Sequence, residues 1–387
     1  MFKRQWKMAK ELLIPESRIV PHHIQGRTLT SLSKLYTFGT VSSGGAGYNL
    51  SGATYLTPQL IDSGTDIASM SSYGSSFKIA STGVLKATGI NAAYQLGLED
   101  TTQRNDWTTV NGTWKKIVVG ASSSTGTTYK SIGLKIDGTL WIVGNVSNGM
   151  LGDGSTGTLT TFTQIGVDTD WVDVAIGSYH VIALKANGDV YTWGTGYACG
   201  RGSGAASQLL GLAISGCKAI GASAQSSFAI KTTGELYSAG IALETGFNVQ
   251  KTSFTLLDNN SWKSVSGVIN SGGGVGYVFA LRADGSGYCW GQNGGYELGL
   301  GDTTTRTTPT AFAVGSTWKK IILLFINGAS HGTGIGLKLD GTLWGWGVAS
   351  LTGTNQSSGS VTTPAQIGSF NDWQDIWGNG QLTFAIR

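Results

Sequence analysis

The side chains that could do acid–base, nucleophilic or metal chemistry are few and scattered. The histidines are His22, His23, His180 and His331. His22 and His23 are adjacent, but no Cys, Asp or Glu lies near them to complete a ligand set. Cys199, Cys217 and Cys289 are odd in number, widely spaced and without a CxxC pair, which argues against a disulfide framework or a zinc site. Cys217 and Cys289 fall at strand positions and read as small core residues. There is no GxSxG, HExxH or P-loop pattern. Gly144-Asn-Val-Ser-Asn-Gly149 has glycines but reads as a loop, not a phosphate cradle. Asp137, Asp284 and Asp340 recur because turns need them. The expectation is a chain with no catalytic residue, no metal and no cofactor.

The elements that position these residues repeat about every 50 residues. Gly138-Thr-Leu-Trp-Ile-Val-Gly144 and Gly188-Asp-Val-Tyr-Thr-Trp-Gly194 share a pattern that recurs at Gly234–Gly240, Gly285–Gly291, Gly341–Gly347 and, weakened, Gly83–Gly89. An alternating strand precedes each, as in Ile182-Ala-Leu-Lys185 and Phe279-Ala-Leu-Arg282. Asp137-Gly138, Asn187-Gly188, Asp284-Gly285 and Asp340-Gly341 supply the positive φ angles of tight hairpin turns. Further upstream stands a strand led by Trp114, Trp171, Trp262, Trp318 or Trp373, with Asp66 and Cys217 in that place in the weaker copies. A fixed repeat position makes these Trp residues packing groups. Trp344 and Trp346 share one strand face, with one of them partly exposed. A fourth strand, such as Phe162–Ile165, completes a four-stranded propeller blade.

The last repeat stops after Thr383-Phe-Ala-Ile-Arg387, where a turn and another strand are due. Ser33-Lys-Leu-Tyr-Thr-Phe-Gly39 supplies that strand, with Ser33 where the other copies have the turn glycine. The fold class is therefore all-β: a seven-bladed β-propeller of four-stranded antiparallel blades. Pairing of the N- and C-terminal strands closes it, and a short N-terminal extension precedes it. The domains are the extension, 1–28, and the propeller, 29–387.

These strands, with the loops Tyr94-Gln-Leu-Gly97, Met150-Leu-Gly-Asp-Gly154 and Glu297-Leu-Gly-Leu-Gly-Asp302, resemble the regulator-of-chromosome-condensation repeat family. The resemblance covers roughly residues 29–387. It implies the fold but little about activity, since such propellers serve as exchange factors, adapters, inhibitors and virion components. The family's His before Ala-Leu is matched only by His180.

Composition narrows the function. Glycine is 60 of 387 residues, proline 5, and charged residues 12%. Residues 1–28 hold Lys3, Arg4, Lys7, Lys10, Arg18 and Arg27 against Glu11 and Glu16, which is the whole net charge of +4. A neutral body argues against a nucleic-acid binder. No apolar run is long enough to insert in a membrane. Phe2, Trp6, Ala9 and Leu13 share one face of a short helix that Pro15 ends, and Ile19 and Ile24 extend the contact. Such a helix is marginal alone and orders by docking. Three hairpin loops, Ala121–Lys130, Ile269–Gly276 and Asn327–Gly334, are six or seven residues longer than their counterparts and should emerge on one face. Tyr129, Asn270, Tyr277, Asn327 and His331 are the recognition candidates there. The low charge and Ser/Thr/Gly-rich loops look like those of propellers in tailed-phage particles. The expectation is a non-enzymatic virion component, in the tail or a fibre. It docks on other virion proteins through residues 1–28 and offers its loops to a host surface protein, a glycan or a neighbouring subunit. The virion is the expected location, with the cytoplasm or the extracellular space as alternatives. The alternative functions are a soluble protein-binding module (a secreted inhibitor or intracellular adapter) and, disfavoured by charge, a small-GTPase exchange factor.

Overall fold

Alternation of apolar and small residues, punctuated by glycine, makes short strands and little else. The computed structural model describes residues 33–41, 45–50, 52–64, 66–72, 74–121, 129–204, 208–268, 276–325, 331–378 and 380–387. Phe2, Trp6, Ala9, Leu13, Ile19 and Ile24 of the expected anchor lie outside the described residues, as do Asn270 and Asn327.

The repeat Trp171–Ile214 shows how one blade is built. Trp171–Ile176, His180–Lys185, Val190–Gly194 and Gln208–Ile214 pair in that order as an antiparallel meander. Three further repeats fold the same way, beginning at Cys217, Trp262 and Trp318. Two more blades share one seven-stranded sheet. There Arg104–Ala121 is the last strand of one blade up to Thr113 and the first strand of the next from Trp114. The fourth strand pairs with the hairpin that precedes it: Thr158–Ile165 lies on Leu140–Asn145, outermost in that blade, and not on Trp171.

The seventh blade is split between the chain ends. Lys34–Val41 lies between Ala53–Ser63 and Leu382–Ile386, and Asp375–Gly378 completes the sheet. Leu35 faces Ile386, Tyr36 faces Ala385, Thr37 faces Phe384 and Phe38 faces Thr383. Lys34 N donates to Arg387 O at 2.8 Å, and Thr37 Oγ1 donates to Thr383 O at 3.0 Å. Each blade's first strand packs beside the first strand of the next, and Asp375–Gly378 packs beside Ser69–Ser72, so the ring of seven closes. Pro58, Pro309 and Pro364 sit on outermost strands, where the missing N–H blunts a free sheet edge.

The core lies between blades. Trp114, Trp171, Trp262, Trp318 and Trp373 are all buried, as their fixed place demands. A Cβ at Gly336 would overlap the Trp318 ring. Trp193, Trp290 and Trp346, from the ends of third strands, reach into the preceding blade. Their indole N–H groups donate to the carbonyls of Met150 at 2.7 Å, Glu244 at 2.7 Å and Glu297 at 2.9 Å. Trp346 is fully buried and Trp344 half-buried, as expected of the pair.

One assignment shifts by a residue. Ile67, not Asp66, takes the Trp place in the weakest repeat. Asp66 precedes the strand and its carboxylate accepts from Ser81 N at 3.1 Å, in the place where the backbone carbonyl of Asp170, just before Trp171, accepts from Ala186 N. Ile67 is buried. Without an aromatic marker, spacing alone could not place this strand to within one residue.

Phe38 is fully buried in the split blade. Phe38→Ala should lower stability by about 3–5 kcal/mol. Leu60→Ala, exposed in the same blade, should change it by about 0.5 kcal/mol or less. Urea unfolding of the two variants checks the contrast.

Candidate functional site

The two ends of the ring differ chemically. At the end with the hairpin turns, six blades close their second strand with a cation: Lys135, Lys185, Lys231, Arg282, Lys338 and Arg387. Each lies over aromatic rings. Lys135 Nζ sits 3.5 Å from the Trp141 centroid, Lys338 Nζ 3.7 Å from Trp344, and Arg282 Cζ 4.1 Å from Tyr288. Lys185 is shared between Trp171 at 4.9 Å and Tyr191 at 5.2 Å, and bonds Asp168 at 2.8 Å and Asp170 at 3.0 Å. Cation–π contacts of this kind are worth about 0.5–1 kcal/mol each at exposed sites. Just beyond, Asp137, Asp284 and Asp340 accept from the side chains of Thr139, Ser286 and Thr342. Those hydroxyl bonds, followed by backbone N–H bonds, hold all three carboxyls below the usual range. These aspartates are turn formers.

The other end carries the long loops. Tyr129 and Tyr277 open their strands and are buried, so neither is displayed on a loop. Counting residues between motifs could not show that the second strands start this early, pairing Tyr129 with Ala121 and Tyr277 with Gly291. Tyr277 Oη donates to Leu324 O in the next blade at 2.6 Å. Burial, then the neighbouring Glu297 carboxylate, pushes its hydroxyl pKa well up. Glu297 is itself buried. Its Oε2 accepts from Gly295 N at 2.7 Å, and its Oε1 lies 3.1 Å from His331 Nδ1. His331 stands at the end of its long loop with its side chain 46% exposed. Of the five loop candidates, it alone among the described residues reaches solvent.

Two of the loops between third and fourth strands are tied together internally. In each a buried Asn, Asn91 or Asn293, donates to the carbonyl of Asp100 or Asp302 and accepts from Leu96 N or Leu298 N. Arg104 and Arg306 then pair with those aspartates at 2.6 and 2.7 Å. The Arg104 bond, with Thr102 N, brings Asp100 down to about 2.

Several titratable groups are sealed between blades, a pattern the sequence reading missed. Lys130 is fully buried and donates to Ser178 O at 2.6 Å. Burial pushes its ammonium down to about 7. Burial, then the Lys130 charge, lowers His180 to about 3. Glu244, bonded by Ser223 Oγ at 2.6 Å and Gln225 N at 3.0 Å, is raised by burial. Burial likewise raises the Cys199 and Cys217 thiols to about 11, and Cys289 further, so none is a thiolate near neutral pH. Among the described residues no group of three His, Cys, Asp or Glu side chains could hold a metal, and no helix is long and apolar enough to cross a membrane.

Blade topology, the split closure and the Trp-bearing first strands define a seven-bladed β-propeller similar to those built from regulator-of-chromosome-condensation (RCC1) repeats. Residues 171–202 match the regulator of chromosome condensation (RCC1) repeat. Protein pim1 of Schizosaccharomyces pombe is 28% identical over 200 residues, 46% of this chain and 36% of that protein. The mitochondrial RCC1 domain-containing protein RUG3 of Arabidopsis thaliana is 30% identical over 185 residues, 44% of this chain and 42% of that protein. The chain thus matches less than half the length of these relatives. The structure of Prp20p from Saccharomyces cerevisiae has the same fold, with a TM-score of 0.73, 16% identity and 92% of each chain covered.

The buried lysine gives a pH signature. Between about pH 7 and the unfolded lysine value near 10.4, the unfolded chain holds a proton that folded Lys130 has released. Stability from this group therefore rises with pH across that window and is lost as pH falls toward 7. The stability difference, Lys130→Met minus wild type, should be more favourable at pH 6 than at pH 10. Urea unfolding at the two pH values reads the difference.

Proposed function

We propose that the chain is a non-enzymatic protein-binding module whose partner contacts the end bearing the long loops. The observation that carries this reading is the Tyr277–Leu324 and Glu297–His331 pair of contacts, which fixes the roots of two long loops on neighbouring blades. Loops held on rigid roots lose less entropy on binding. Four carboxylates at this end are spent on structure: Glu297 and Glu244 are buried acceptors, and Asp100 and Asp302 pair with arginine.

The similar proteins support binding in general terms. The Prp20p structure is described with binding to Gsp1p and histones, and yeast RCC1 (Prp20) is seen bound to Kap60. At 16 and 17% identity, these descriptions are carried over as protein binding and not as nucleotide exchange. The expected tailed-phage role draws no support from these relatives, which come from yeasts and a plant. The soluble protein-binding module, the alternative reading of the sequence, is the better supported one.

Replacing 122–128, 269–275 and 326–330 with short Gly-Ser links tests the proposal. Cross-linking mass spectrometry on the tagged full chain should map partner cross-links to the loop-bearing end. The loop-replaced variant should lose them while melting as wild type. Cross-links that persist in that variant would contradict the reading.

A further inference from the structure

The first strands bring a second, unrelated surface together at the turn end. In five repeats the strand bulges just after its leading residue: Trp171 pairs with Lys185 but Asp173 with Leu184. The same shift follows Trp114, Cys217, Trp262 and Trp318. The two residues after the leading position thus form a collar around the axis of the ring. Contacts between neighbouring blades trace that collar. Lys116 Nζ bonds Asp173 at 2.5 Å, Lys320 Nζ bonds the equivalent Asp375 at 2.8 Å, and Lys319 Nζ donates to Gln374 O at 2.6 Å.

The collar is basic. It holds Lys115, Lys116, Lys218, Lys263, Lys319 and Lys320 against Asp173 and Asp375. The chain beyond residue 28 balances as a whole, with 20 basic and 20 acidic side chains, so the collar concentrates positive charge that is offset elsewhere. Lys218, Lys263 and Lys319 are exposed, and Lys115 partly so. Lys115, Lys218 and Lys263 make no ion pair or hydrogen bond with the described residues. On the hairpin of the same blade, Glu235 is held low by the Thr233 hydroxyl, then by a backbone N–H bond, and less by the Lys231 and Lys218 charges.

We propose that this collar binds an acidic polypeptide segment at the mouth of the ring. Charge complementarity selects the occupant. Like-charged lysines from several blades repel one another until an anion lies among them, and such steering raises both on-rate and selectivity. The remaining collar positions are Ala68, Ser69, Val172, Ala219, Ser264 and Gln374. No aromatic platform is present there for base stacking, which single-stranded nucleic acid uses. Residues 1–28 carry +4, so the chain's own tail is not complementary. The site stands apart from the long loops, so its failure and theirs are separable.

The experiment is fluorescence anisotropy of a fluorescein-labelled glutamate-rich peptide titrated with the full chain. The wild type should bind it more tightly than a neutral Gly-Ser peptide, and more weakly as salt rises. A variant carrying Lys115→Glu, Lys218→Glu and Lys263→Glu should lose roughly tenfold or more in affinity. Lys86→Glu with Lys251→Glu, outside the collar, should leave binding unchanged. If the reversed variant melts early, Lys115→Gln, Lys218→Gln and Lys263→Gln replaces it, with the same loss expected. Equal binding of the neutral peptide, equal weakening by the control pair, or tighter binding of a single-stranded oligonucleotide would each overturn the assignment.

Discussion

Everything in this molecule depends on two short strands from opposite ends of the chain lying side by side. Leu35–Gly39 and Leu382–Ile386 share one sheet, and without that sheet the ring has a gap one blade wide. A blade buries its faces only against its neighbours, so an open array would expose two of them. The split blade removes that exposure. It also ties ring closure to the most distant contact in the sequence, which costs loop-closure entropy that the six continuous blades do not face. Phe38, Phe384 and Ile386, all buried, offset that cost with apolar area.

Ring closure also decides where chemistry-bearing side chains can go. The faces between blades are filled by Trp, Ile, Leu and Val, and two polar side chains caught there bond backbone carbonyls across the seam. Lys130 reaches Ser178 O and Tyr277 reaches Leu324 O. Each spans two blades and holds them in register. The ends of the ring remain for recognition. One end offers long loops on fixed roots. The other offers turns whose cations are already stacked on aromatic rings, surrounding a basic collar.

Much of the fold was legible because it repeats. The Trp, Ala-Leu and Gly spacings marked strands and turns, and Ser33 in place of a turn glycine marked the cut. The errors fall where the marker is missing. Ile67 replaces Trp, and a one-residue offset followed. Tyr129 and Tyr277 look like loop residues in sequence, since loop length says nothing about where pairing resumes. The candidate sites were less legible for a different reason. The Trp-Lys-Lys runs at 114–116 and 318–320 and the Trp-Lys-Ser run at 262–264 lie far apart in sequence. Only the closed ring brings them to one collar. The stacked cations were visible as Lys or Arg before each turn, but their partners lie one strand away on either side.

Hydrogen exchange of the backbone amides at 35–38 and 383–386 tests the closure most directly. If the two strands hold the ring shut, both segments exchange slowly and together, at the rate of the blade cores. Fast exchange in either segment while the blade cores stay protected would contradict it.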